Sequence, residues 1–278
     1  MRRIKKIYAA PAKHWVGDGF HVSSLFSHMD EIDKQTSPFL MLDYGIPEYF
    51  APNNGPAHGV GQHPHAGFET VTLALQGEIA HRDSAGHGGV IGTGDAQWMT
   101  AGHGIVHEEF HSEAFSQRGG EMEMLQFWVN LPKKFKSTPP AYQSITSEQI
   151  PVIELGGGST ARIVAGSLND VAGPAKTFTP VDLWEIDIPA GQAAEIEAPK
   201  THNLMLVPLR GDVVINGENK AKATELVVFE LEDGKINLTA GDQAVKLAVF
   251  GGEPINEPVV GYGPFVMNTK EEIIERVS

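Results

Sequence analysis

Glycine and proline punctuate this chain at short intervals, 31 and 18 times in 278 residues, and leave few stretches long enough to sustain a helical period. Between them lie short apolar and β-branched runs, the pattern of a strand-and-turn protein. Residues 38–45 read as a buried strand bounded by Pro38 and Gly45. Residues 68–78 form the next strand, rich in β-branched side chains and ending at a glycine turn. A hairpin turn within 83–89 and a tight turn at 92–95 follow, and two more strands, 97–100 and 105–110, flank Ala101-Gly102-His103-Gly104. The glycines from 86 to 94 precede no helix, so they are turn residues and not a dinucleotide-binding loop.

From Asn130 the composition changes to a basic, proline-rich connector in which Pro139-Pro140 favours extended backbone. A chain of this length suits two domains, and the connector divides it into 1–138 and 139–278. Beyond it, Trp184, Ile186 and Ile188 alternate with Glu185 and Asp187, as on a strand, and Asn216-Gly217 is a two-residue hairpin signal. Residues 73–78 and 207–212 share one pattern, which marks the second half as a degenerate copy of the first. The one helix expected is terminal, 269–277, with Thr269 as its cap and Glu271 and Glu272 at the positive end of its dipole. The fold class is therefore all-β: two consecutive antiparallel β domains and a short C-terminal helix.

Composition removes several function classes. There is no cysteine, which excludes disulfides, zinc-thiolate sites and iron–sulfur clusters and leaves nitrogen and oxygen as the metal ligands. A net charge of −14 repels phosphate backbones, so direct nucleic-acid binding is not expected. No stretch approaches the roughly 20 apolar residues that cross a bilayer. The basic start, Met1 to Lys6, has no apolar export segment behind it. A cytoplasmic monomer without membrane contact is the expectation.

Eleven of the twelve histidines lie at or before His111, and only His202 falls in the remainder. Two of the pairs have strand spacing. His63 and His65 lie two apart and would point to one side of a strand, and His107 and Glu109 would do the same on another. Two strands donating two ligands each give a site of three imidazoles and one carboxylate, suited to one divalent transition metal. Glu69 shares the parity of His63 and His65 if the strand is regular, and is either a ligand or a neighbour that holds an imidazole tautomer; Gly67 interrupts that regularity. His103 and His111 read as turn or rim residues, His81 with Arg82 and Asp83 as a strand-end polar cluster, and Gln97, Trp98 and Met99 as packing or hydrogen-bonding positions. At the spacing of the internal repeat, His63, His65, His107 and Glu109 fall on Glu197, Pro199, Gly241 and Gln243, so the second half loses the constellation.

The segments His63-Pro64-His65-Ala66-Gly67-Phe68-Glu69-Thr70-Val71-Thr72 and 94–109 resemble the pirin family of the cupin superfamily. Residues 263–269 resemble the family's closing motif and 38–43 its early strand, so the resemblance spans nearly the whole chain. It implies a bicupin of two jelly-roll-like antiparallel β-barrels, with metal in the first only. It implies His63, His65, His107 and Glu109 as ligands and Fe(II) as the metal, with Mn, Ni, Cu, Co or Zn as alternatives. His103 departs from the arginine expected between its glycines. The activity implied is that of a quercetin 2,3-dioxygenase-like oxidoreductase, taking a flavonoid or other small aromatic enol and dioxygen, with Glu109 as the catalytic base. The alternative implied is a metal-dependent protein-interaction module, a transcription co-regulator or a partner of a metabolic enzyme.

Overall fold

The computed structural model describes residues 1–30 and 32–278, in two compact units. The first to consider, here the site unit, comprises Pro11–Asp33, Phe39–Ser147 and Ile255–Ser278; the companion unit comprises Met1–Ala10, Lys34–Pro38 and Glu148–Pro254. The N-terminal strand Ile4–Tyr8 pairs with Leu226–Phe229 in the companion unit, while the C-terminal helix Lys270–Val277 belongs to the site unit.

Each unit holds one seven-stranded and one four-stranded sheet, and every ladder between their strands is antiparallel. In the site unit the larger sheet runs in the order Ala141–Ile145, Ala96–Thr100, Phe68–Gln76, Gly120–Asn130, Phe39–Phe50, Phe20–Ser27 and His14–Val16. The smaller runs Gly59–His65, Ile105–His111, Ile79–Asp83 and Gly88–Ile91. The strands expected at 38–45, 68–78, 97–100 and 105–110 are all present, as is the terminal helix, whose Thr269 side chain accepts from the Glu272 amide. That helix is the longest described, and none is long and apolar enough to cross a membrane.

The two units fill their interiors differently. The companion unit has one continuous apolar core in which Trp184, Ile186 and Ile188 meet Leu204, Leu206, Leu238, Leu247 and Val249. In the site unit the polar Thr72, Gln97, His107 and Glu109 are buried alongside apolar residues such as Phe20, Ile79, Phe115 and Met124. The alternation at Trp184 to Ile188 leaves only part of its polar side wet: Asp187 is half-exposed, while Glu185 is buried and accepts a 2.7 Å bond from Arg162.

The ladders also correct the mapping of one half onto the other. Ile79 pairs with His111 and Val213 with Ala240 in corresponding sheets, which sets Leu238 and Ile236 where Glu109 and His107 stand. Fewer residues separate these strands in the companion unit, so a constant spacing overshoots to Gln243 and Gly241.

Candidate metal centre

His63 and His107 are direct cross-strand partners in the ladder between Gly59–His65 and Ile105–His111. One extra residue on the first strand, at Gly61-Gln62, makes a bulge opposite Glu108. The carbonyl of Gly61 accepts the His63 Nδ1 hydrogen bond at 2.7 Å, so His63 offers its Nε2 lone pair. His65, two residues on, shares that face, and its Nε2 lies 3.0 Å from Nε2 of His107. The candidate ligand atoms of His63, His65 and His107 all lie within 4.8 Å of one another.

Burial, and then the proximity of the other imidazoles, keeps His65 and His107 neutral. His65 is pushed well below the ordinary histidine range and His107 is pushed down to about 3. A neutral imidazole has the lone pair a metal needs. The donor set therefore fits a divalent transition metal: three converging imidazole nitrogens, two of them on buried rings that face each other across a gap protons do not fill favourably.

Glu109 is on the same face of its strand as His107, yet stands outside the 4.8 Å cluster. Its Oε2 accepts from Gln97 Nε2 at 2.8 Å and its Oε1 from Gln126 Nε2 at 2.9 Å. Both amides also reach the Thr72 hydroxyl, at 3.5 and 3.2 Å, and Tyr142 donates to Gln97 Oε1 at 2.9 Å. A second chain backs His107: its Nδ1 lies 3.4 Å from His81 Nδ1, and His81 Nε2 lies 2.8 Å from the buried Asp83 carboxylate. With Asp83 ionised, His81 donates from Nε2 and accepts at Nδ1, which sets the His107 proton on Nδ1 and its lone pair on Nε2. His81 is thus the support of a candidate ligand and more than a strand-end cluster.

Glu69 turns away from this cluster. Gly67, at φ +91°, makes the corner between the two sheets and resets strand parity, so Thr72 faces Glu109 while Glu69 lies on the opposite side of its strand. There it accepts a 2.5 Å bond from Thr100, and burial raises its carboxyl to about 7. His103 is an exposed turn residue, and His111 is buried with Nε2 2.7 Å from the Gly19 carbonyl.

Sequence reasoning did not single out Gln126 or Tyr142. A glutamine inside the apolar run Met124 to Val129 is the trace the first leaves; the second carries none, because its partners lie on other strands. Phe68 and Trp128, 4.3 Å apart between ring centroids, form an aromatic wall beside His65, which lies 5.3 and 5.5 Å from them. Two depressions of about 440 and 470 Å³ are lined in part by Gln62, Arg82 and Glu108, and by Pro64, His103 and Arg276. They share Ser84 and Val106, and each includes one candidate ligand, His107 in the first and His65 in the second; Val106 itself lies on the strand face opposite His107.

Known proteins carry the same arrangement of sequence and fold. The chain is 44% identical over 278 residues to a Pseudomonas aeruginosa protein named "Putative quercetin 2,3-dioxygenase", covering all of this chain and 96% of that one. It is 40% identical over 275 residues to a pirin-like protein of Solanum lycopersicum, covering 98% and 88%. The crystal structure of a quercetin 2,3-dioxygenase from Acinetobacter baumannii superposes with a TM-score of 0.96 at 47% identity, covering 100% and 96%. The family model described as Pirin matches residues 19–129 and that described as Pirin C-terminal cupin domain matches 183–278. On these matches, the chain belongs to the pirin family, with the bicupin fold.

Proposed function

We propose that this chain is an iron-dependent dioxygenase that cleaves the heterocyclic ring of a flavonol such as quercetin, its metal held by His63, His65, His107 and Glu109 within a jelly-roll-like barrel. The observation that carries the reading is the convergence of three imidazoles beside a carboxylate gripped on both oxygens. The relatives named for quercetin dioxygenation, alike in sequence over the whole chain, support the choice of substrate class. Bound Fe(II) would supply Lewis acidity toward the substrate oxygens and one-electron chemistry toward dioxygen.

The chain's own residues do the rest. Trp128, half-buried and backed by the buried Phe68 ring, offers an apolar face against which a planar polyphenol stacks. Glu109 takes the proton of the flavonol 3-hydroxyl; a carboxylate has about four lone-pair positions, and the two amides occupy only two of them. In the overall reaction both atoms of dioxygen enter the cleaved ester and one ring carbon leaves as carbon monoxide, so no external reductant is consumed.

The test is oxygen uptake and carbon monoxide release by iron-loaded protein with quercetin. We expect turnover in the wild type and its loss, by at least about 100-fold, in Glu109→Gln, the scale of a missing general base. Absence of uptake in the loaded wild type, with Glu109→Gln indistinguishable from it, would overturn the assignment.

A further inference from the structure

Tyr142 touches both arms that support the centre, and it does so with different parts of one side chain. Its hydroxyl donates to Gln97 Oε1 at 2.9 Å. Its ring stacks on His81, with centroids 4.8 Å apart and planes at 17°, and on His87, at 5.9 Å and 19°. His81 and His87 both approach the Asp83 carboxylate, at 2.8 and 3.3 Å.

The direction of each hydrogen bond fixes the next. Gln97 donates its amide nitrogen to Glu109 Oε2, which turns its own oxygen away from that carboxylate. That oxygen is the group Tyr142 binds, so the phenol must donate. Burial, then the charges of Glu109 and Asp83, raise its pKa to about 12, which keeps the proton on the phenol at any ordinary pH. Without the hydroxyl, Gln97 loses the only partner described for its Oε1 and can rotate toward Thr72. Without the ring, His81 loses the stacked face that fixes its plane toward His107.

We propose that Tyr142 is the positioning residue of this centre: its hydroxyl locks the Gln97 amide that orients Glu109, and its ring holds the imidazole that orients His107. This inference rests on the reading of His63, His65, His107 and Glu109 as metal ligands. It extends that reading to the strand Ala141–Ile145, the edge strand of the larger sheet, which contributes no ligand itself.

The test is cobalt(II) titration of metal-free protein, read by the visible spectrum of the bound ion and by competition with a chromophoric chelator. Tyr142→Phe should bind cobalt about 10-fold more weakly with an altered spectrum, the scale on which groups supporting a ligand act. Gln97→Met, which keeps the length and removes the amide, should match it. Glu109→Gln combined with Tyr142→Phe should bind no more weakly than Glu109→Gln alone, since the hydroxyl acts only through that carboxylate. Tyr142→Leu should lose a further factor through His81. Thermal unfolding of each metal-free variant separates this loss from a failure to fold, and Tyr142→Phe retains the ring where Tyr142→Leu does not fold.

Wild-type affinity and spectrum in Tyr142→Phe, or a loss that adds in full to that of Glu109→Gln, overturns the proposal. In that event wild type that binds one equivalent, with His107→Ala binding none, leaves the ligand assignment standing. A wild type that binds cobalt no better than His107→Ala removes both.

Discussion

Two buried carboxylates sit in the site unit, one on each of its two larger sheets, and they differ in their partners. Glu109 accepts from two amides, while Glu69 has one hydroxyl partner and burial raises its carboxyl to about 7. The native state therefore keeps the Glu69 proton between about 4.5, the ordinary value of a glutamate, and about 7, where the unfolded chain releases it. Stability from this group is fully present below the unfolded value and is lost as pH rises through 7. Glu69→Gln, a neutral isostere, should match the wild type near pH 4 and exceed it by up to about 3 kcal/mol at pH 9. Urea denaturation at the two pH values checks this; parallel pH dependence in the two proteins would show that Glu69 is ionised in the native state.

At the scale of elements, the corner at Gly67 decides what the ligand strand and its successor can each contribute. A Cβ at Gly67 would overlap the Val266 carbonyl, and φ there is +91°. Lys136, buried and lowered to about 7 by desolvation, donates to the carbonyls of Gly67 and Val266 at 2.8 and 3.0 Å and to Asn130 Oδ1 at 2.7 Å. All three of its donors are used to fasten this corner to the closing strand Phe265–Met267. Gly67→Ala should cost at least about 2 kcal/mol, combining backbone strain with displacement of that strand. A denaturation midpoint within error of the wild type would mean that the corner relaxes freely. The same corner explains where sequence reading succeeds and where it stops. Strand parity is local, so the spacing of His63 with His65 and of His107 with Glu109 puts each pair on one face of its strand. Parity counted through Gly67 assigns Glu69 to the wrong side. Gln126 and Tyr142 reach Glu109 only across ladders, and the pairing of Ile4–Tyr8 with Leu226–Phe229 joins residues that no local pattern relates.

Across the whole molecule, two copies of one sheet arrangement have been filled in two ways, and the choice separates stability from chemistry. Leu238 stands where the ladder of the site unit has Glu109, fully buried in a continuous apolar core with no described polar partner. A carboxylate introduced there would either ionise without a donor or take up a proton and remain unpaired, and both are costly. Glu109 occupies a place already provided with two amide donors and the Thr72 hydroxyl between them. Leu238→Glu should therefore lower the stability of metal-free protein by more than about 4 kcal/mol, the scale of an unpaired buried charge. The reverse replacement, Glu109→Leu, removes a buried charge and leaves each amide its Thr72 contact, so it should cost less than about 2 kcal/mol while weakening cobalt binding. Chemical denaturation of the two variants, with a parallel cobalt titration, tests the pair. Equal losses of stability would mean that the polar interior of the site unit carries the fold as heavily as the apolar core does; the smaller loss at Glu109, accompanied by weakened binding, would mean that this half has given up core packing for a place to hold a metal.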